Sequence, residues 1–287
     1  MFIPPTGLCS PPADHTLYYV SWQWLWLQTL PETLGGGWLM TNAVPWLNGR
    51  FGARKNGAGI FAWHSMDGQR WTYCGTVATA AQFPTSGEGP NENDVAILAD
   101  GRTVMVVFRI DDGVDGGKVD AKNYQASTST DGGKTWATPH EMLDVNGRGI
   151  GVARPRLLML GEGGLGGRNK SGGVEETAET TLGAGQVAPA PLLLSGGRLY
   201  TENTRDILLW VCWDGMGLAW NPFSISYQHN RLVSPSTLRF SADVNATSGR
   251  ATTSYTSLLP VGSPSDRTAV LIYNGDTGMF AMTISVM

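Results

Sequence analysis

The chain has 287 residues, of which 41% are hydrophobic and only 15% are charged, and its formal net charge is −4. It is long enough for one large domain with a buried core, and too apolar for intrinsic disorder. The 38 glycines follow no fixed period, which excludes collagen, and the lack of excess Lys and Arg makes a nucleic-acid-binding platform a poor fit.

The most apolar early stretch is residues 17–30 (LYYVSWQWLWLQTL). It is too short for a membrane span, contains Gln23 and Gln28, and has no basic flank, so we expect neither a span nor a signal peptide there. The three cysteines are widely spaced and the histidines show no metal-ligand spacing. We therefore expect no disulfide framework, no metal and no cofactor, and the compartment is not predicted.

Short β-branched runs separated by Gly-rich turns follow one another along the chain. The first clear hairpin joins residues 95–98 and 103–109 through Asp100-Gly101, a strong hairpin signal. Further turns with the same signature are predicted at residues 195–198, 214–215 and 274–276. Since no fifteen-residue window has helical spacing together with helix caps, the fold should be almost entirely β.

Two stretches fall outside this pattern. Residues 161–187 are rich in Gly, Glu, Thr and Ser and contain almost no large apolar residue, which indicates a flexible insertion between two strands. Residues 1–50 are a poorly matched stretch that shows no usable resemblance. Because strand patterns resume after the insertion, we expect a single domain over residues 1–287.

One turn sequence recurs. Residues 129–136 (STDGGKTW) have a shorter counterpart at residues 65–71 (SMDGQRW) and a looser one at residues 214–220 (DGMGLAW). In such a turn the Asp accepts backbone N–H bonds, Gly supplies a positive φ, and Trp anchors the loop on apolar surface. Its recurrence predicts a β-propeller of four-stranded antiparallel blades, and about six blades fit this length.

The copy at residues 129–136 resembles the Asp box, S/T-x-D-x-G-x-T-W, of the sialidase (neuraminidase) superfamily, whose repeats are also called BNR repeats. The resemblance implies a sialidase-like six-bladed propeller. It gives Asp67, Asp131 and Asp214 a structural role in the turns rather than a catalytic one.

A second resemblance lies just before that box. Residues 91–109 resemble the sialidase segment N-E-x-x-V-x-x-L-x-D-G that runs on to an arginine. In that family the Glu partners a nucleophilic tyrosine and the Arg belongs to a triad that binds the substrate carboxylate. The resemblance therefore implies these roles for Glu92 and Arg109.

The nucleophile is expected late in the chain. Tyr255, in residues 254–260 (SYTSLLP), is similar to the family pattern Y-S/T-S/D-L. Tyrosine is an exception among glycosidases that pair two carboxylates. A carboxylate nucleophile would be repelled by the carboxylate of sialic acid, whereas a phenol is neutral until a neighbouring Glu takes its proton.

Other binding residues follow from weaker similarities. Arg154, with Arg156 as the alternative, lies in an R-P-R-L-L phrase that recurs in sialidase-like chains, and planar guanidinium groups suit bidentate binding of a carboxylate. Arg54 is a candidate for the cleft. His229, expected in a strand turn, is a candidate contact for a sugar hydroxyl, and a structural role is its alternative.

The sequence departs from the family at the acid/base position, where Gly52 stands in place of the expected Asp. Loss of activity, a truncated or rearranged N-terminus, or cleavage of another glycoside would each account for this. We predict an exo-α-sialidase-like glycoside hydrolase acting by retention on sialylated or related acidic glycans. The alternative is a non-catalytic propeller that binds glycans or acts as a scaffold.

Overall fold

Antiparallel β-meanders make up nearly all of the regular structure. A computed structural model of the chain describes residues 25–45, 58–86, 89–111, 123–161, 190–201, 204–232, 255–275 and 278–286. Within these ranges the strands β1 to β15 form four antiparallel sheets, and in each sheet neighbouring strands are consecutive in the chain. The prediction of an all-β fold built from four-stranded antiparallel units is confirmed for three of these sheets.

The first two sheets come from the N-terminal half. Sheet A contains β1 (Leu25–Thr29), β2 (Trp38–Pro45), β3 (Ala58–Ser65) and β4 (Thr72–Ala78). Sheet B contains β5 (Gly89–Ile97), β6 (Val104–Asp111), β7 (Gln125–Ser129) and β8 (His140–Glu141). The β5–β6 hairpin is the one that Asp100-Gly101 predicts, and Asp100 accepts the backbone N–H groups of Arg102 and Thr103.

The other two sheets come from the C-terminal half. Sheet C contains β9 (Val152–Met159), β10 (Leu192–Thr201), β11 (Thr204–Cys212) and β12 (Asn221–Ser224). Sheet D contains β13 (Thr256–Val261), β14 (Thr268–Gly275) and β15 (Gly278–Ser285). Short 3-10 turns occupy Glu32–Leu34, Ala80–Gln82 and Pro264–Asp266.

The sheets pack face to face in chain order. In β6, Val104, Val106 and Phe108 face sheet A, whereas the alternate residues Met105 and Val107 face sheet C. This alternation follows from the two-residue period of a strand, and it buries both faces of sheet B. Sheet C is buried on both faces in the same way, because its second face shares a core with sheet D.

Among the residues that the structure describes, one α-helix interrupts the β structure. Helix α1 (Ile225–Leu232) begins after Ser224, whose hydroxyl accepts the N–H of Tyr227 at 3.1 Å and so caps the first turn. Its buried residues Ile225 and His229 are four apart and lie on one face of the helix. No helix in the described ranges has the length and apolar character needed to cross a membrane.

The turn predicted at residues 195–198 is wrong. These residues lie within the continuous strand β10, and Gly196 pairs with Leu208 of β11. Glycine is needed at position 196 for lack of space rather than for a special backbone conformation, because a Cβ there would lie 2.1 Å from the hydroxyl oxygen of Tyr124. A strand glycine can mark such a close approach as well as a turn.

The recurring Asp turns join the third and fourth strands of sheets A, B and C. In sheet B, Asp131 accepts the N–H groups of Lys134 and Thr135 at 3.0 and 2.9 Å and the hydroxyl of Thr135 at 2.6 Å. Ser129 accepts the N–H of Gly133 at 2.9 Å, and the indole of Trp136 donates to the Gly133 carbonyl. Asp131 therefore holds the turn together from within, as the sequence pattern predicts.

The other two turns repeat this arrangement with different residues. Asp67 accepts the N–H groups of Gln69 and Arg70 at 2.8 and 2.7 Å. Asp214 accepts the N–H of Met216, and the thiol of Cys212 donates to its carboxylate at 2.9 Å. Cys212 thus takes the place that a serine has in the other two turns.

Candidate active site

Glu92 lies at a β-bulge near the start of β5. Asn91 pairs with Arg109 of β6 and Asn93 pairs with Phe108, so Glu92 is the extra residue on its strand. Bulges re-aim side chains and are common beside active sites. The Glu92 carboxylate is only 3% exposed, which makes its partners decisive for its chemistry.

Arg109 and Tyr255 are the partners of Glu92. Arg109 Nη1 donates to Glu92 Oε2 at 2.9 Å, and the two side chains form an ion pair. The Tyr255 hydroxyl donates to the other oxygen, Glu92 Oε1. The structure therefore joins, on one carboxylate, the three residues that the resemblance assigns to one site.

Tyr255 stands immediately before β13 and brings sheet D to the site. It is 37% exposed, so its phenol is open to a ligand while its hydroxyl contacts the buried Glu92. Glu92 belongs to the first strand of sheet B, and Tyr255 adjoins the first strand of sheet D. Side chains at the first strands of separate sheets thus meet in one place.

Arg154 lies in an irregular part of β9. The pairing of β9 with β10 shifts between Arg156 and Val152, and Ala153 has a φ of +65°, which is unusual for a residue with a side chain. Such backbone is found where a side chain must be aimed. Burial, and then the charge of Arg156, lower the pKa of Arg154, while the negative charge of Asp94 and, more weakly, that of Glu92 oppose this.

Arg156, the alternative to Arg154, binds a different carboxylate. Its guanidinium lies 3.7 Å from Asp94 Oδ2, which also accepts the N–H of Leu157 at 2.8 Å. Burial raises the pKa of Asp94, and the positive charge of Arg156 opposes that rise. The Asp94–Arg156 pair therefore joins β5 to β9, and Arg154 is the better candidate for binding a ligand.

Tyr124 is a residue at the site for which the sequence carries no motif. Its side chain is fully buried. Burial, followed by the negative charge of Glu92, holds its pKa well above the usual value, while the charge of Arg109 acts in the opposite direction. The only sequence signal is indirect: Tyr124 stands just before β7, the strand that leads into the Asp131 turn.

His229 lies on a helix, which corrects the expectation of a strand turn. The helix is α1, and His229 is only 1% exposed there. Its Nδ1 is 2.9 Å from the hydroxyl of Tyr273, and its ring packs edge-on against Phe280 at 4.5 Å between centroids. These buried contacts favour the structural alternative for His229, which is not included in the proposed site.

The remaining predicted residues are elsewhere. Asp67, Asp131 and Asp214 lie in the strand-connecting turns described above. Arg54 and Gly52 lie outside the described residues. In the part of the chain that the structure covers, no three His, Cys, Asp or Glu side chains are grouped so that they could hold a metal ion.

Comparison with known proteins gives structural similarity alone. No protein-family model matches the chain, and no curated protein matches it. Solved structures with a similar fold include the intramolecular trans-sialidase of Ruminococcus gnavus in complex with oseltamivir carboxylate, at 15% identity and a TM-score of 0.45 over 86% of this chain.

Two further structures are a family 117 glycoside hydrolase of Zobellia galactanivorans and an exo-β-1,3-galactanase of Clostridium thermocellum. The first has 9% identity and a TM-score of 0.44 over 91% of this chain. The second has 11% identity and a TM-score of 0.45 over 96% of it. The chain spans 40%, 66% and 46% of the lengths of the trans-sialidase, the family 117 enzyme and the galactanase, respectively.

Proposed function

We propose that this chain is a sialidase-like glycoside hydrolase that removes a terminal acidic sugar with retention of configuration. The observation that carries the proposal is the contact of Tyr255 with Glu92, whose second oxygen is bound by Arg109. A partly exposed phenol that donates to a buried carboxylate is a nucleophile with its base already in place.

The first step follows from this geometry. As the Tyr255 oxygen attacks the anomeric carbon, its proton passes to Glu92 and the bond from that carbon to the leaving oxygen breaks. The product is a covalent glycosyl-tyrosine, and the leaving group departs as an oxyanion that must acquire a proton. In the second step water attacks the same carbon as the bond from that carbon to the Tyr255 oxygen breaks, and Glu92 returns its proton to that oxygen. The proton that the attacking water gives up passes to solvent and balances the one that the leaving group takes up, and the two successive displacements retain the configuration.

Substrate binding is assigned to arginines. A terminal sugar that carries a carboxylate at the anomeric carbon is suited to planar cationic donors. Arg154 is such a donor, and its electrostatic interactions with Glu92 and Tyr255, which act to raise its pKa, support its place beside them. Arg109 is the second donor and also neutralises Glu92. Sialylated or related acidic glycans are therefore the proposed ligands.

The proposed architecture is a single propeller domain over residues 1–287. Support comes from meander sheets that pack face to face in chain order, with Asp turns between the third and fourth strands of sheets A, B and C. Six blades is the number proposed from the chain length. The Asp turns serve as structural Asp boxes in this proposal.

A second candidate function is a propeller that binds glycans without cleaving them. The observation that favours it is Gly52, which stands where the resemblance to sialidases calls for an Asp that protonates the leaving group. Without such a donor, general acid catalysis worth about 100- to 10,000-fold would be missing. The carboxylate-binding arginines would still hold the sugar.

Two substrates separate these functions. An umbelliferyl sialoside has a leaving group that departs without protonation, whereas sialyllactose needs an acid. If the chain is a hydrolase, the wild type should release umbelliferone, and Tyr255→Phe should lower the rate of release by about 100-fold or more. Tyr227→Phe is the matched control, because Tyr227 is exposed on α1. Cleavage of sialyllactose would show that an acid is present.

Equal turnover by wild type and Tyr255→Phe would overturn the tyrosine mechanism. Nuclear magnetic resonance of the first-formed sugar tests retention, since inversion would produce the opposite anomer. If neither substrate is cleaved, calorimetry with free sialic acid tests the second function. Binding by the wild type and no binding by Arg154→Met would support a propeller that binds glycans without cleaving them. Absence of both cleavage and binding would refute both functions.

A further inference from the structure

Tyr124 lies beside the ion pair of the proposed site. Gln125 of β7 pairs with Phe108 of β6, so in an antiparallel register Tyr124 is the next residue across from Arg109. Tyr124 belongs to the core shared by sheets B and C, as does Val107, two residues before Arg109 on β6. Because side chains two residues apart on a strand share a face, Arg109 and Tyr124 stand on the same side of sheet B.

Two glycines enclose the phenol on the side of sheet C. A Cβ at Gly196 would lie 2.1 Å from the Tyr124 hydroxyl oxygen, and a Cβ at Gly151 would lie 2.1 Å from a ring carbon. Real atoms do not approach this closely, so any larger residue would displace the ring. The N–H of Gly197 donates to the Tyr124 hydroxyl, which fixes the position of that oxygen.

The surroundings keep this phenol neutral. Burial raises the pKa of Tyr124 well above its usual value, and the negative charge of Glu92 raises it further. A neutral, rigid side chain next to a guanidinium limits the orientations of that guanidinium. Because it is uncharged, it does not compete with Glu92 as an ion-pair partner.

We propose that Tyr124 is the positioning residue of this site: its buried phenol, held between sheets B and C by Gly196 and Gly197, orients the guanidinium of Arg109 toward Glu92. It acts through Arg109 and does not touch the substrate. The inference deepens the proposed function, on which its catalytic meaning rests, but its structural content is independent of any substrate.

The test observes Arg109 directly. Protein carrying isotope-labelled arginine is studied by nuclear magnetic resonance, and the Arg109 guanidinium signals are identified by their loss in Arg109→Lys. In the wild type we expect separate, slowly exchanging guanidinium signals and a nuclear Overhauser contact between Arg109 and the Tyr124 ring. In Tyr124→Phe the signals should merge or exchange about tenfold faster, since one fixing hydrogen bond is lost.

The control variant is Tyr227→Phe, which removes a hydroxyl from exposed helix surface and should leave the Arg109 signals unchanged. A folded Tyr124→Phe with unaltered Arg109 signals would overturn the inference. If that variant does not fold, the wild type alone decides, because absence of the Tyr124–Arg109 contact would also overturn it. Neither result depends on sialoside cleavage, so failure of the proposed function would be seen separately in the hydrolysis assays.

Discussion

Two carboxylates of sheet B, Asp131 in its turn and Glu92 at its bulge, are held in opposite ways. Every hydrogen-bond partner found for Asp131 lies between Ser129 and Thr135. The partners of Glu92 are Arg109, 17 residues away, and Tyr255, 163 residues away. The turn is therefore a property of eight consecutive residues, whereas the site exists only when sheets B and D are assembled.

The same contrast holds for electrostatics. Partial burial alone would raise the pKa of Asp131, but hydrogen bonds from the Thr135 side chain and backbone, with others from Ser129 and Lys134, lower it to about 2. At Asp94, burial outweighs Arg156 and the pKa is raised. Local donors thus stabilise charge in the exposed turn, while the enclosed site depends on distant ion-pair partners.

The largest effect on stability is expected at Asp94. Asp94→Ala removes the buried carboxylate that forms an ion pair with Arg156 and accepts the N–H of Leu157, and we expect the free energy of unfolding to fall by about 3 to 5 kcal/mol. Urea denaturation followed by tryptophan fluorescence measures this change.

The double variant Asp94→Ala/Arg156→Met is the control for this prediction. The double variant replaces both members of the buried ion pair with apolar groups, so it should recover part of the stability that the single variant loses. A single variant that loses less than about 1 kcal/mol would show that this ion pair does not join the sheets, and the contrast with Asp131 would disappear.

A smaller effect is expected at Asp131. Asp131→Asn removes a charged acceptor of several local hydrogen bonds, which should lower the free energy of unfolding by about 1 to 2 kcal/mol at neutral pH. Because the folded pKa of about 2 lies below the usual Asp pKa of 3.8, the stabilisation is complete above about pH 5 and is lost as the pH falls toward 2.

Thermal denaturation of wild type and Asp131→Asn between pH 6 and 2.5 tests the sign. The difference in Tm should narrow as the solution becomes more acidic. A difference that stays constant or widens in acid would mean that the Asp131 carboxylate gains nothing from its charge in the folded turn.

The smallest effect is expected at Cys212. In Cys212→Ser a hydroxyl can replace the thiol as donor to Asp214 and as acceptor from Gly217, so the free energy of unfolding should fall by less than about 1 kcal/mol. Cys212→Ala loses both bonds and should be clearly less stable than Cys212→Ser in the same denaturation measurement. Equal stability of the two variants would show that the turn does not use this side chain.

Prediction from sequence succeeds where the signal is local. The β5–β6 hairpin follows from Asp100-Gly101, and the turn around Asp131 follows from residues whose hydrogen bonds close within a few positions. It fails at residues 195–198, where the Gly-Gly pair suggests a turn. Gly196 instead leaves space for the side chain of Tyr124, which is more than seventy positions earlier in the chain. Helix α1, which carries His229, has only eight residues and is too short to show helical spacing over a fifteen-residue window.

For the site, the resemblance assigns Glu92 and Arg109 through one segment and Tyr255 through another, and it implies that Glu92 partners the tyrosine. The atoms in contact are known only from the structure. The residue pattern alone does not show which of Arg154 and Arg156 binds a ligand, since both lie in the same R-P-R-L-L phrase. The pairing of Arg156 with Asp94 and the irregular backbone at Ala153 separate them. Tyr124 carries no motif, because its role depends on register and on two glycines in another sheet.

By itself, the sequence determined the β class, the Asp turns and the scarcity of charge against which a few Glu and Arg residues stand out. These depend on two-residue periodicity and on hydrogen bonds between near neighbours, which any short segment encodes. The tertiary structure decided which carboxylate binds which arginine and which tyrosine meets Glu92. Those choices depend on burial and on contacts between residues far apart in the chain, which arise only when the sheets pack.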